Sequence, residues 1–167
     1  MPTVQELILE LENEARATTR LLERVPEDKL TWQPHAKSMS IGQLALHIAS
    51  IPGRISQLLL LDGMDGKQAK FQNPQPTTRA EILSALENGL AGAKEVLHSI
   101  NNEKATQPWK LSNGDREVFS APRTTIARNL MLNHWYHHRG QLTVYLRLLD
   151  VPLPVTYGRS ADENPFA

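Results

Sequence analysis

The chain has 167 residues, 40% of them hydrophobic and 22% charged, and its 18 basic residues balance 18 acidic ones. That length and composition describe an ordered domain with room for a sizeable core, not a disordered segment. Neutrality removes the electrostatic reason to expect nucleic acid or an anionic membrane as a partner. There is no cysteine, which excludes disulfides, thiolate metal sites and a cysteine nucleophile. Residues 1–6 carry no basic segment followed by an apolar run, and no apolar stretch approaches the ~20 residues of a membrane span. A single cytoplasmic domain over residues 1–167 is expected.

In chain order, Val4, Leu7, Leu11, Ala15, Thr18, Leu22 and Val25 recur at steps of three and four. They predict an amphipathic helix from about Thr3 to Arg24, opened by a Thr3–Glu6 capping box and closed by Pro26. Residues 26–39 form a connection in which Trp32 is expected to pack on the core. A second helix starts at the Ser40–Gln43 capping box and runs to about Leu61, with a kink expected at Pro52. Residues 62–77 read as loop. Thr78–Glu81 is a third capping box, ahead of a helix ending near Ile100. Within residues 101–123, Trp109 to Ser120 resembles a short hairpin turning at Asn113-Gly114, with Trp109 and Phe119 as anchors. A fourth helix starts near Thr124 or Thr125 and stops at Asp150–Pro154. Gly140, in its middle, suggests close approach of a neighbour. The fold class predicted is all-α, a four-helix bundle with long connections and a short hairpin between its third and fourth helices.

Half of the 6 histidines fall in one stretch, Asn133-His134-Trp135-Tyr136-His137-His138-Arg139-Gly140-Gln141. On a helix His134 and His138 share one face, and His47 lies on or beside the inward stripe of the second helix. Taken singly, each is more often a satisfied core or rim histidine than a ligand. Three near one another are costly to bury unless each finds a hydrogen bond or a metal. One ion held by His47, His134 and His138 meets all three needs and leaves a position open, as in catalytic sites. His137 competes for the second place on that helix; His138 is preferred because it keeps the line Ala127–Met131–His134–Tyr145. His137, Gln141 and Arg139 are candidates to support the ligands, Arg139 also to pair a substrate carboxylate or a surface acid. Asp162 and Glu163 are expected to be solvated.

These residues together resemble the DinB-like family, the DinB/YfiT group of metal-dependent enzymes. The resemblance rests on Leu30 to His35 with Ser38-Met39-Ser40, on Leu44 to Ala49 before Pro52, on Asn133-His134 with His137 to Leu142, and on Pro152 through Tyr157-Gly158 to Glu163. It implies a four-helix bundle, a homodimer, and a divalent transition metal, zinc or nickel ahead of iron, on His47, His134 and His138. It also implies a small-molecule substrate. Some relatives are transferases or isomerases that use low-molecular-weight thiols such as bacillithiol or mycothiol. The readings that follow are a thiol-dependent transferase, a metal-dependent hydrolase using metal-bound water, and a non-catalytic, stress-related dimer that binds a metal or small ligand.

Overall fold

Thr3 and Glu6 start helix α1 (Val4–Leu22) by exchanging bonds. The Glu6 N–H donates to the Thr3 hydroxyl at 3.2 Å, and the Thr3 N–H donates to the Glu6 carboxylate at 2.7 Å. The same reciprocal arrangement between Ser40 and Gln43 starts α2 (Ile41–Leu58). At α3 (Arg79–Ser99) the box is incomplete. Thr78 accepts from the Glu81 N–H, but the Glu81 carboxylate turns to the N–H of Thr77. The computed structural model describes residues 2–70 and 72–166. Among these no helix is long and apolar enough to cross a membrane.

Helices α2 and α3 pack with their backbones in near contact, and the sequence cause is a pair of glycines. A Cβ on Gly53 would lie 2.8 Å from the Gly89 Cα, and one on Gly89 would lie 3.1 Å from the Ala49 carbonyl oxygen. Gly53→Val should therefore destabilise by about 1–3 kcal/mol, the cost of overpacking a filled contact. Gly92 has nothing within 4 Å of such a Cβ, so Gly92→Ala should gain up to about 1 kcal/mol of helix propensity. Urea titrations of the two variants check the contrast, and equal responses would remove the close-packing explanation.

The architecture departs from the predicted all-α four-helix bundle. A three-stranded mixed sheet is present, made of β1 (Gly63–Asp65), β2 (Pro108–Asn113) and β3 (Arg116–Pro122) in that order. β2 and β3 form the expected hairpin, with a bulge between Leu111 and Ser112. Its two-residue loop begins at Gly114, whose φ of +63° is the positive value that a first loop position of this kind favours. β1 lies in the segment read as loop and pairs in parallel with β2, Gly63 opposite Lys110. Three residues are too few to show an alternating pattern. Asp65 fixes the strand by accepting the N–H groups of Gly114 and Lys67, each at 3.0 Å. Trp109 is fully buried and donates its indole N–H to the Leu58 carbonyl at 2.9 Å, so the sheet is anchored on the end of α2. A short helix α4 (Asn102–Thr106) precedes it.

The last helical run begins at Arg123, directly after β3. It passes through α5 (Arg123–Ile126) and a π-helical stretch, Ala127–Asn133, into α6 (His134–Leu148). Asp150 stops it with a φ of 55°, the Val151 N–H reaching back to the Leu146 carbonyl and the Asp150 N–H to that of Arg147, a Schellman ending. Nothing lies within 4 Å of a Cβ built on Gly140, so no neighbour explains that glycine. Asp162 and Glu163, expected in solvent, are paired instead. Asp162 binds Arg147 and the Leu153 N–H; Glu163 binds Arg24 at 2.5 Å and the Val155 N–H. The tail is thereby tied to α1 and α6.

Candidate metal centre

His47 stands on α2, and His134 and His138 on the first turns of α6, whose residue Trp135 fixes the spacing between the two helices. Pro52 has no N–H, so in α2 it leaves the Ile48 carbonyl without its usual partner four residues on. The fully buried Trp135 fills the vacancy, its indole N–H donating to Ile48 O at 3.0 Å. The bond joins the neighbour of His47 to the neighbour of His134. Sequence reasoning passed over Trp135; a proline four residues after a buried position, facing a helix with an indole, is the signal that points to it. Trp135→Phe should strand that carbonyl, costing about 1–3 kcal/mol and lowering metal affinity by about 10–100-fold as supporting contacts do. Melting of the metal-free protein and a chelator competition read the two effects, and no change in either would dismiss the bond as a positioning device.

The three rings converge. His47 Nε2 is 3.4 Å from His134 Nε2, His138 Nε2 is 2.8 Å from His134 Nε2, and the ligand-capable atoms all lie within 4.8 Å of one another. The ring planes are steeply inclined, at 67° for His47–His134 and 87° for His47–His138, with no face-to-face stacking.

An outer hydrogen bond decides what one of those atoms presents. His138 Nδ1 is 2.7 Å from the side-chain amide oxygen of Gln141, Oε1, an acceptor, so Nδ1 carries the proton and Nε2 a lone pair. His134 Nε2 faces that lone pair at 2.8 Å, a contact that needs a proton or a cation between the two atoms. Tetrahedral ligands at 2.0–2.1 Å from one ion stand about 3.3 Å apart, close to the 3.4 Å of His47–His134 and wider than the 2.8 Å of His134–His138, so the last pair has to part by a few tenths of an ångström around an ion. The donor set fits a divalent transition metal of the kind that takes neutral imidazole.

The electrostatics favour the same state. Burial, reinforced by His138, His134 and Arg54, pushes the His47 pKa down to about 4. Burial likewise lowers that of His134, and of His138 despite its bond to Gln141. Rings that shed their protons easily are ready to ligate.

Of the supporting candidates, Gln141 touches the cluster through His138. His137 is exposed, with its ring centroid 4.9 Å from that of His138. Arg139 is neither on the surface nor directed at the histidines. It is 4% exposed and pairs with Glu14 of α1 at 2.6 Å, bonds the Thr18 hydroxyl and the Tyr157 hydroxyl, and lies against the rings of Tyr136 and Tyr157. Next to it Glu10 accepts from Arg128 and, at 2.6 Å, from the Tyr136 hydroxyl. These bonds hold α1 against α6 from behind. The recess beside His47, lined also by Ser50 and Arg54, was likewise not anticipated.

The profile described as DinB family matches residues 1–164. The uncharacterized protein YjoA of Bacillus subtilis (strain 168) is 24% identical over 131 residues, 78% of this chain and 80% of its own. The uncharacterized protein YrdA of the same organism is 23% identical across 96% of this chain and 92% of its own. Among solved structures, a DinB-like protein from Bacillus cereus ATCC 10987 shares the fold with a TM-score of 0.71, covering 93% of this chain and 98% of that one at 22% identity. The structure of YjoA does so with a TM-score of 0.67 over 89% and 95% at 17% identity. With the profile matched along nearly its whole length, on a fold common to these two structures, the chain belongs to the DinB family.

Proposed function

We propose that this protein is a metal-dependent enzyme in which His47, His134 and His138 hold one divalent transition ion, zinc or nickel ahead of iron, and that its reaction is a transfer using a low-molecular-weight thiol. The observation that carries the metal reading is the convergence of the three Nε2 atoms, that of His138 with its lone pair turned inward by the bond to Gln141. An ion bound there supplies Lewis-acid chemistry, lowering the proton affinity of the group it polarises. The chain's own part is to hold the three rings deprotonated and oriented.

Thiol transfer is preferred to hydrolysis on the composition of the site. Among the described residues no Asp or Glu joins the histidine cluster, and Glu10 and Glu14 are engaged by Arg128 and Arg139. Hydrolysis gains from a general base beside the attacking water. The chain has no cysteine, so the thiol comes from a small molecule. A homodimer belongs to the same proposal and is read by light scattering.

The test is metal analysis of the purified protein followed by electrophiles offered with and without a panel of small thiols. Product that needs both metal and thiol, and disappears in His47→Ala, is expected. Turnover without thiol would instead favour the hydrolase. Thiol conjugation that survives in His47→Ala would overturn the ligand assignment.

A further inference from the structure

A recess of about 30 Å³ opens beside His47. One wall is the face of α2 that carries His47, Ser50 and Arg54, three and seven residues apart, so that they stack along one side. The opposite wall is Gln72 to Pro74. That wall is held in place: Gln43 donates to the Asn73 carbonyl at 2.9 Å, and Gln75 accepts the Ser40 hydroxyl at 2.7 Å while donating to Leu30 O at 2.9 Å. His47 is the member of the histidine cluster that also lines the recess.

The charge there is one-sided. No Asp or Glu lines the recess, and Arg54 is the charged side chain at it. Arg24, Arg123, Arg128, Arg139 and Arg147 each pair with a carboxylate, and Arg54 is set apart from the remaining arginines by its place on the recess. Arg54 has neither a hydrogen bond nor an ion pair with any described residue. It is exposed, on the same helix face as a candidate ligand and two turns from it. The side-chain amides of Gln72 and Asn73 make no bond within the described chain either. A guanidinium with two amides around a space of a few atoms matches a carboxylate, which accepts from the planar fork of arginine and from amide N–H groups.

We propose that this recess is a carboxylate subsite, with Arg54 pairing the carboxylate of a small acid bound beside the three-histidine centre. The proposal rests on the metal reading and adds the substrate class: the thiol or the molecule it attacks carries a carboxylate a few atoms from its reacting end. The guanidinium supplies position and charge and takes no part in bond making.

Cobalt-loaded protein titrated with mercaptoacetate and with the neutral 2-mercaptoethanol, followed by calorimetry and the cobalt absorption spectrum, tests it. Mercaptoacetate should bind about tenfold more tightly, the size of one charge-assisted bond. Arg54→Gln should erase that preference, leaving cobalt content and 2-mercaptoethanol binding unchanged, and Arg54→Lys should restore part of it. A preference that persists in Arg54→Gln, as chelation of the ion by both ends of the acid would give, overturns the subsite. So does the absence of any preference in the parent protein. Succinate titrated into metal-free protein, with binding lost in Arg54→Gln, reads the recess by itself. If cobalt fails to bind but this arm holds, the metal reading fails and the subsite stands; if succinate does not bind, the subsite fails.

Discussion

Replacing Arg123 with methionine should destabilise the protein by about 3–5 kcal/mol, because it strands several carbonyl acceptors at about 1–3 kcal/mol for each that stays buried and unpaired. Its guanidinium is 1% exposed and satisfies backbone rather than solvent. Nε donates to Leu59 O at 3.0 Å, Nη2 to Leu61 O at 2.9 Å, and Nη1 to the carbonyls of Gln107 and Pro108 at 3.3 Å. Two of these acceptors lie just past the end of α2 and two where α4 meets β2. The last carbonyls of a helix have no partner of their own, and this arginine supplies one while joining the sheet to α2. Methionine fills similar volume but leaves the acceptors buried and unpaired. Lysine should fail nearly as badly, because a single ammonium cannot span what a planar fork does. The ion pair with Asp62 is the lesser part, since the Asp62 side chain is 98% exposed; Asp62→Asn should cost under about 1 kcal/mol. Guanidinium titrations of the three variants settle the order. A loss below 1 kcal/mol in Arg123→Met would end the argument that this residue clasps the sheet to the helices.

Arg123 also shows where sequence reading stops. Arginine is among the residues least expected inside, so neither Arg123 nor Arg139 could be placed in the interior from pattern. Their burial depends on acceptors brought in from distant segments. The four long helices and two of their three capping boxes were legible because the signals are local: a hydroxyl three residues before a carboxylate or amide, then apolar steps of three and four. The hairpin was legible from Trp109, Phe119 and the glycine between its strands. β1 was not, because its partner is 47 residues away and its register depends on Asp65 meeting Gly114. The π-helical stretch left no mark in the apolar spacing either. The convergence of the three histidines was legible because two shared one helix face and the third lay on the stripe that meets it. Gln141 was legible as a support from its place one turn beyond His138, whereas the bond from Trp135 to Ile48 came only with the structure.

Removing one histidine should abolish metal-induced stabilisation while leaving the metal-free protein no less stable. An ion bound to the folded chain alone adds RT ln(1 + [L]/Kd), about 4 kcal/mol at a thousandfold excess over Kd, which for a chain of this length is roughly 10 °C in Tm. His134→Ala takes away the ring shared by both short contacts, and that shift should vanish. The metal-free variant should melt as the parent does, because the three rings are half-buried and the short contacts of His134 are to the other two histidines. A structural role predicts the opposite, with the metal-free variant destabilised as well. The pH dependence separates the two further. His47 has its folded pKa depressed to about 4 from an ordinary value near 6.5, so between these values the unfolded chain binds more protons than the folded one. The stabilising effect of its neutral form is complete above pH 6.5 and is lost as pH falls toward 4. The metal-free parent should lose stability across that window more steeply than His47→Ala does. The metal-loaded parent should hold its ion to lower pH than free imidazole would, since proton competition at His47 sets in only near pH 4. Matching acid profiles for parent and His47→Ala would mean the ring is solvated rather than held neutral at the centre.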